Sequence, residues 1–397
     1  MKQRIYLDYS ATTPLRPEAR QAMQPFLDDE FGNPSSVHAA GRAARMAVEE
    51  SRRRLRDSLG GPKGEIVFTG SGSESDNLAI LGFARRAPGG CIVRSAIEHK
   101  AVLESTRALR EGGYDVREAP VDSSGTVIVE ALADLLPGDG RPTLVSVMWA
   151  NNETGVIQPV ARIAALCRER GVLFHSDAVQ AFGKIPLDLD SIPVDLLSLS
   201  AHKIGGPKGV GTLLVRGVIA LEPLVYGGGQ EAGLRSGTQN VAAIAGFAEA
   251  AAVASAELAA VAPAWRTLRD RLQDGLTRAL PHLIVNGGDA AERLPHVLNV
   301  SVPGVDIEGL LTALDLEGIQ VSSGSACTTG SVEPSHVLRA MGRQGDAARN
   351  TIRLSLGWRT EDAEIERVVG TFPTVVERIR ELSPSTRGRR DFSSSEV

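Results

Sequence analysis

Asp195-Leu196-Leu197-Ser198-Leu199-Ser200-Ala201-His202-Lys203, continued by Ile204-Gly205-Gly206-Pro207-Lys208-Gly209, is the stretch on which the rest of the chain turns. Pro193 precedes it and glycines follow, so an apolar run of strand length ends where a lysine opens a turn. Open α/β sheets bind their ligands just beyond the carboxyl ends of their strands. The chain holds six lysines against thirty-seven arginines. A lysine at this point therefore suggests an amine that must lose its proton and attack a carbonyl, which guanidinium cannot do. Taken alone, Lys203 also fits a solvated loop, and the choice depends on what other segments bring to it.

At 397 residues the chain exceeds the size at which single cores stop growing, so one large and one smaller domain are expected. With 42% hydrophobic and 23% charged residues it has the composition of a soluble globular protein. A net charge of -5 at pH 7 argues against a broad nucleic-acid-binding face, and no direct nucleic-acid binding is expected. Residues Met1 to Asp8 lack the apolar centre of a signal peptide, and no long uncharged run stands out as a bilayer span. A cytoplasmic location without membrane attachment is expected. Cys91, Cys167 and Cys327 are too few and too scattered for a disulfide framework or a closed zinc site, and no metal is expected.

Working outward from Lys203, strand-like runs alternate with helical ones. Glu65 to Thr69 reads as a strand, and Gly70-Ser71-Gly72-Ser73-Glu74-Ser75-Asp76-Asn77 leads into a helix. Free N–H groups and small hydroxyls at such a junction suit a phosphate, or simply an N-capped helix. The Walker and full dinucleotide spacings are both missing, which sets a dinucleotide-dependent dehydrogenase aside. Cys91 to Ser95, Thr143 to Trp149 and Val172 to Asp177 are further strands, and such units argue for a mostly parallel sheet covered on both faces. Asp177 ends its strand with Gln180 three residues on, so both face one site or the aspartate caps a helix.

From Val37 to Leu59 a helical pattern places Arg42, Arg45 and Arg52 to Arg54 on a face expected to be solvated. Alanine-rich helices from Gly237 to Leu280, with a break at Pro263, are expected to lead into the smaller domain. There His296 to Val302 and Ile319 to Val321 read as strands flanking a helix near Glu308 to Leu316. Small residues surround Cys327 in Ser322 to Gly330, which suggests an exposed, movable thiol, whereas Cys91 and Cys167 sit in apolar patterns. Arg353, on the late strand Thr351 to Leu356, suits a carboxylate clamp or a sheet edge.

Tyr6 to Pro14, Gly32-Asn33-Pro34-Ser35-Ser36, Glu98-His99-Lys100, Asn151-Asn152-Glu153, Ser200 to Lys203, Arg235-Ser236-Gly237-Thr238 and Ser322 to Cys327 stand together in one order. In that order and spacing the chain resembles the cysteine desulfurases of the class V aminotransferase group, in its housekeeping-like long-loop subgroup, from Ile5 to about Pro384. The resemblance implies an α/β, fold type I transferase that depends on pyridoxal 5'-phosphate, with a mixed, mostly parallel sheet, helices on both faces and a smaller α+β domain. It implies residues 15–255 as the large domain, 1–14 with 256–384 as the small one carrying the Cys327 loop, and 385–397 as a flexible tail.

By the same resemblance Lys203 is the Schiff-base lysine, Asp177 pairs with the ring nitrogen, Gln180 bonds the ring oxygen, and His99 stacks on the ring and shuttles protons. Gly72, Ser73, Ser200 and His202 hold the phosphate, joined by Thr238 from the other subunit of a homodimer. Asn152 lies at the cofactor and, with Asn33 and Arg353, receives the substrate L-cysteine, whose sulfur Cys327 accepts as a persulfide while L-alanine is formed. The sulfur then passes to an acceptor protein serving iron–sulfur assembly, tRNA thiolation or DNA phosphorothioation. Ser73 stands where the family usually has threonine and Ala201 where many members have glycine, both keeping the donor pattern. The tail after Pro384 is short and rich in arginine and serine, which leaves the recipient open. The rivals are a class V aminotransferase or lyase without sulfur transfer, and a non-catalytic scaffold.

Overall fold

Leu196–Ser200, the run that precedes Lys203, is a strand buried along its whole length. It can be apolar throughout because the sheet around it is covered on both faces. The computed structural model describes residues 4–323 and 334–382; Cys327 and the tail 385–397 lie outside the described residues. The large sheet has seven strands in the order Glu65–Thr69, Gly211–Val215, Leu196–Ser200, Leu173–Asp177, Thr143–Ser146, Cys91–Ser95 and Asp115–Ala119. Gly211–Val215 runs antiparallel to both its neighbours, and the other pairings are parallel. The ends of Thr69, Ser95, Ser146, Asp177 and Ser200 therefore share one edge, and register places Asp177 beside Ser198.

Helix starts at that edge are built by local polar groups. Ser71 caps Gly72–Arg86 by accepting from Glu74 N, while Glu74 Oε2 accepts from Gly70 N at 2.7 Å, a reciprocal arrangement akin to a capping box. His99 caps Lys100–Glu111, its Nδ1 accepting from Ala101 N at 3.2 Å. A neutral His99 consequently carries its proton on Nε2.

A second core forms around a three-stranded sheet of Thr351–Ser355, Val297–Ser301 and Ile284–Val285. It gathers Leu298, Ile352 and Phe372 together with Ile5 and Leu7 from the amino terminus. The expected break at Pro263 is absent, because Val241–Ala279 is one helix of 39 residues. Val241 to Ala254 contribute to the first core and Leu268, Leu272 and Leu276 to the second, and burial at both ends outweighs the few kcal/mol, about 3, that an interior proline costs. Contrary to the expectation from sequence, this helix is long and apolar enough for a bilayer, yet 61% of its most apolar 18-residue stretch is buried in the protein.

The solvated face expected for Arg52 to Arg54 also needs correction. Arg52 is buried, its Nη1 and Nη2 donating at 2.8 and 3.0 Å to Glu231, which also accepts from Phe68 N at 2.8 Å. Helical periodicity sets the face of a residue but cannot announce a partner 179 positions away. Glu231 is held there at a left-handed φ of 50°, a conformation non-glycine residues seldom adopt. Arg52→Ala leaves Glu231 buried without its cationic partner, held only by Phe68 N and Gln239 Nε2, and a loss of roughly 3–5 kcal/mol is expected in urea unfolding; a loss under about 1 kcal/mol, the worth of an exposed pair, would contradict the buried pairing.

Candidate active site

Where the sheet edge meets the second core, a cavity of about 380 Å³ opens. Lys203 projects from the 3-10 turn Ala201–Lys203 that directly follows its strand. Its Nζ donates to the carbonyls of Ser10 at 2.6 Å and Ala11 at 2.8 Å. Burial, aided by the charge of Arg353, lowers its pKa to about 8 against the opposing pull of Asp8 and Asp177. Such an amine is a far better nucleophile at neutral pH than an ordinary lysine.

Asp177 lies on the same wall, its Oδ1 accepting from Val179 N at 2.8 Å. Burial raises its pKa, while His99, the Val179 N–H and Lys203 hold it down. No helix begins after Asp177, so this contact closes a turn in place of the helix cap that the sequence also allowed, and the site position is the one the structure supports. Oxygens of Asp76 and Asp177 and a ring nitrogen of His99 all lie within 4.8 Å of one another. Burial lowers the pKa of His99, with Asp177 opposing. Gln180 reaches the cavity while its Nε2 donates to Ser10 O at 3.0 Å.

One end of the cavity is the amino terminus of Gly72–Arg86, where Gly72, Ser73, Ser200 and His202 meet. A Cβ on Gly72 would sit 2.9 Å from Val179 Cγ2 and 3.2 Å from Ser200 Cβ, so the absence of a side chain keeps this end open. His202 is neutral, its pKa driven to about 4 by burial and then by Lys203 and Lys208, and its Nδ1 meets Thr12 Oγ1 at 3.2 Å.

The opposite wall comes from the second core and from Asn152. Arg353 donates from Nη1 to Asn152 O at 2.9 Å and from Nη2 to Asp8 Oδ1 at 2.8 Å. Its backbone pairs with Ser322, and Ser322 and Ser323 line the cavity just before the segment that holds Cys327. Asn33 and Thr238 do not line it: both are exposed, and Asn33 Oδ1 accepts from Ser35 N at 2.9 Å.

Four ionisable wall residues were given no role from sequence: Asp76, Lys100, Glu153 and His336. Asp76 was within reach, since it follows Gly72 by four positions and so shares its helix face. Lys100 and Glu153 stand inside motifs already quoted. His336 carries no local signal; its place depends on Nε2 donating to Glu98 O at 2.9 Å. Next to it Ser335 Oγ donates to Glu153 Oε2 at 2.5 Å, and burial pushes the Glu153 carboxyl up to about 7.

The thiols of Cys91 and Cys167 are 0% and 1% exposed, and burial pushes them up to about 11 and 12. Thiol titration of the native chain is expected to label neither. Labelling above one thiol per chain before denaturation would contradict their packing.

Residues 5–368 match the family model described as aminotransferase class-V. A protein called cysteine desulfurase IscS from Dictyoglomus turgidum is 42% identical over 386 residues, covering 97% of each chain. A solved structure titled NifS-like protein superposes with a TM-score of 0.88 at 37% identity, over 95% of this chain and all of the other. Another, titled SspA in complex with cysteine, gives 0.76 at 35% identity over 90% and 99%. The chain belongs to the class-V aminotransferase family of pyridoxal-phosphate enzymes. Within that family it is a cysteine desulfurase, and the rival readings without sulfur transfer or without catalysis are not favoured.

Proposed function

We propose that this cavity binds pyridoxal phosphate through Lys203 and L-cysteine beside it, and that Cys327 takes up the sulfur. The observation that carries the reading is Lys203, an amine whose pKa is lowered to about 8, in one cavity with Asp177, His99 and Arg353. The cavity suits the cofactor. A helix amino terminus with Ser73, Ser200 and neutral His202 matches a phosphate, and a buried carboxylate at Asp177 calls for a cationic partner such as a protonated ring nitrogen. Gln180 would bond the ring oxygen and His99 would cover the ring, both being part of the cavity wall. When bound, the cofactor supplies an electron sink for cleavage at the substrate.

The chain's own groups divide the remaining work. Arg353 and Asn152, with Asn33, orient the substrate carboxylate, and a ligand oxygen there competes with Asp8 for the guanidinium. Lys203, once free, takes the proton from the substrate α-carbon. His99, neutral with its proton on Nε2, exchanges a proton with the substrate sulfur. The Cys327 thiolate attacks that sulfur; the substrate C–S bond breaks, an S–S bond forms, and L-alanine leaves after protonation. A relative solved with cysteine supports the substrate. Exposure of Thr238 away from its own cavity supports a homodimer in which it serves the partner's phosphate site. Residues 15–255 form the cofactor-binding part and 1–14 with 256–384 the part bearing Cys327. The persulfide sulfur goes to an acceptor protein, in a cytoplasmic enzyme without membrane attachment.

The test uses the pH dependence of cofactor attachment. An amine with a pKa of about 8 is protonated and inert below that value and neutral above it. The rate of attachment, read from the absorbance of the bound cofactor, is expected to rise with pH and level off above about 8. A rate still climbing through the range of a solvated lysine, near 10.4, would contradict it.

A further inference from the structure

Asp76 has no part in the scheme above, although it lies on the cavity wall and is 1% exposed. Its Oδ1 has no hydrogen-bond partner among the described residues. The imidazole of His175 stands 3.6 Å away, but it brings no charge. Its Nδ1 meets Ser146 Oγ at 2.9 Å and its Nε2 meets Ser198 Oγ at 3.0 Å, and burial drives its pKa down to about 3.

The other groups around Asp76 make an anion there still less favourable. Asp177, on the neighbouring strand, has a carboxylate oxygen within 4.8 Å. Glu98, before the helix Lys100–Glu111, pushes the same way when ionised, although burial raises its own carboxyl to about 8, and the Ser198 hydroxyl works the other way. His99 is nearby but biased toward its neutral form. Lys203 is engaged by the carbonyls of Ser10 and Ala11. Two adjacent buried carboxylates cannot both stay ionised without two compensating charges. A protonated ring nitrogen brings one.

We propose that Asp76 is a positioning residue, held as an uncharged acid beside Asp177, so that the wall facing the cofactor ring carries one negative charge and Asp177 alone pairs with the ring nitrogen. This rests on the assignment of Asp177 to that nitrogen.

The test compares full-length wild type, Asp76→Asn and Asp177→Asn, each with pyridoxal phosphate bound and after its removal. Asparagine copies the shape of a protonated aspartate and cannot ionise. An acid whose folded-state pKa is raised loses stability as pH climbs from its ordinary value of about 4 toward the folded one. Without cofactor, Asp76→Asn should therefore melt a few degrees above wild type at about pH 8, with the gap closing toward about pH 4. With cofactor, its absorbance maximum and pH titration should match wild type, whereas Asp177→Asn should displace both. Melting below wild type at every pH, or a displaced cofactor titration, in Asp76→Asn overturns the proposal alone. An unmoved spectrum in Asp177→Asn removes the assignment of Asp177, and the proposal with it. If Asp76→Asn does not fold, Asp76→Ser, also neutral and smaller, takes the same measurements.

Discussion

Lys203→Ala is expected to leave a folded chain that neither holds pyridoxal phosphate covalently nor turns over L-cysteine, with activity lower by about 10⁴-fold or more. In the proposed scheme two functions rest on the same nitrogen, attachment of the cofactor and removal of the substrate α-proton, and positioned proton transfer by itself contributes about 10²–10⁴-fold. The amine reaches Ser10 and Ala11 across the cavity from a turn that the sheet holds rigid, so no other group inherits its place. Lys100 also lines the cavity but is exposed at the start of its helix. Lys100→Ala should accordingly keep the attached cofactor's absorbance. Retention of that absorbance by Lys203→Ala, or its loss in Lys100→Ala, would reverse the two assignments.

The second large effect concerns sulfur rather than the cofactor. Cys327→Ser should bind pyridoxal phosphate with an unchanged spectrum, form no persulfide, and release alanine at least about 10³-fold more slowly, since a hydroxyl is a poor acceptor of sulfur. Cys91 and Cys167 cannot substitute, being buried with thiols far above the neutral range. The residues on either side support the assignment. Ser322 is bonded through its backbone to Arg353, Ser335 is tied to Glu153, and Ser323 and His336 line the cavity. Mass spectrometry after exposure to cysteine reads the outcome directly: one added sulfur on the wild-type peptide containing Cys327, none on the variant. Sulfur release at the wild-type rate by Cys327→Ser would restore the reading without a catalytic thiol.

Much of the site could be read along the chain because its parts are local. Lys203, Asp177 and the Ser71–Ser73 turn each stand at or just beyond the end of a strand, and a mostly parallel sheet brings such endings to one edge. The rarity of lysine against arginine singles out Lys203, and the structure puts that residue in the cavity wall. Where the reading faltered, the deciding contact lay far off in sequence. Arg52 follows a helical pattern that looks solvated until Glu231 arrives, and Pro263 stays inside a helix because two separate cores bury its ends.

What the amino-acid order by itself determined was the set of secondary elements, the α/β class and the chemical types gathered at strand ends, since these follow from periodicity, turn residues and hydrogen-bonding capacity over a few positions. Tertiary structure alone decided the charge states: the lowered pKa of Lys203, the neutrality of His202 and His175, and the crowding of Asp76 against Asp177. Those depend on water being excluded and on distances between groups from different elements, and neither quantity is written in any local stretch of sequence.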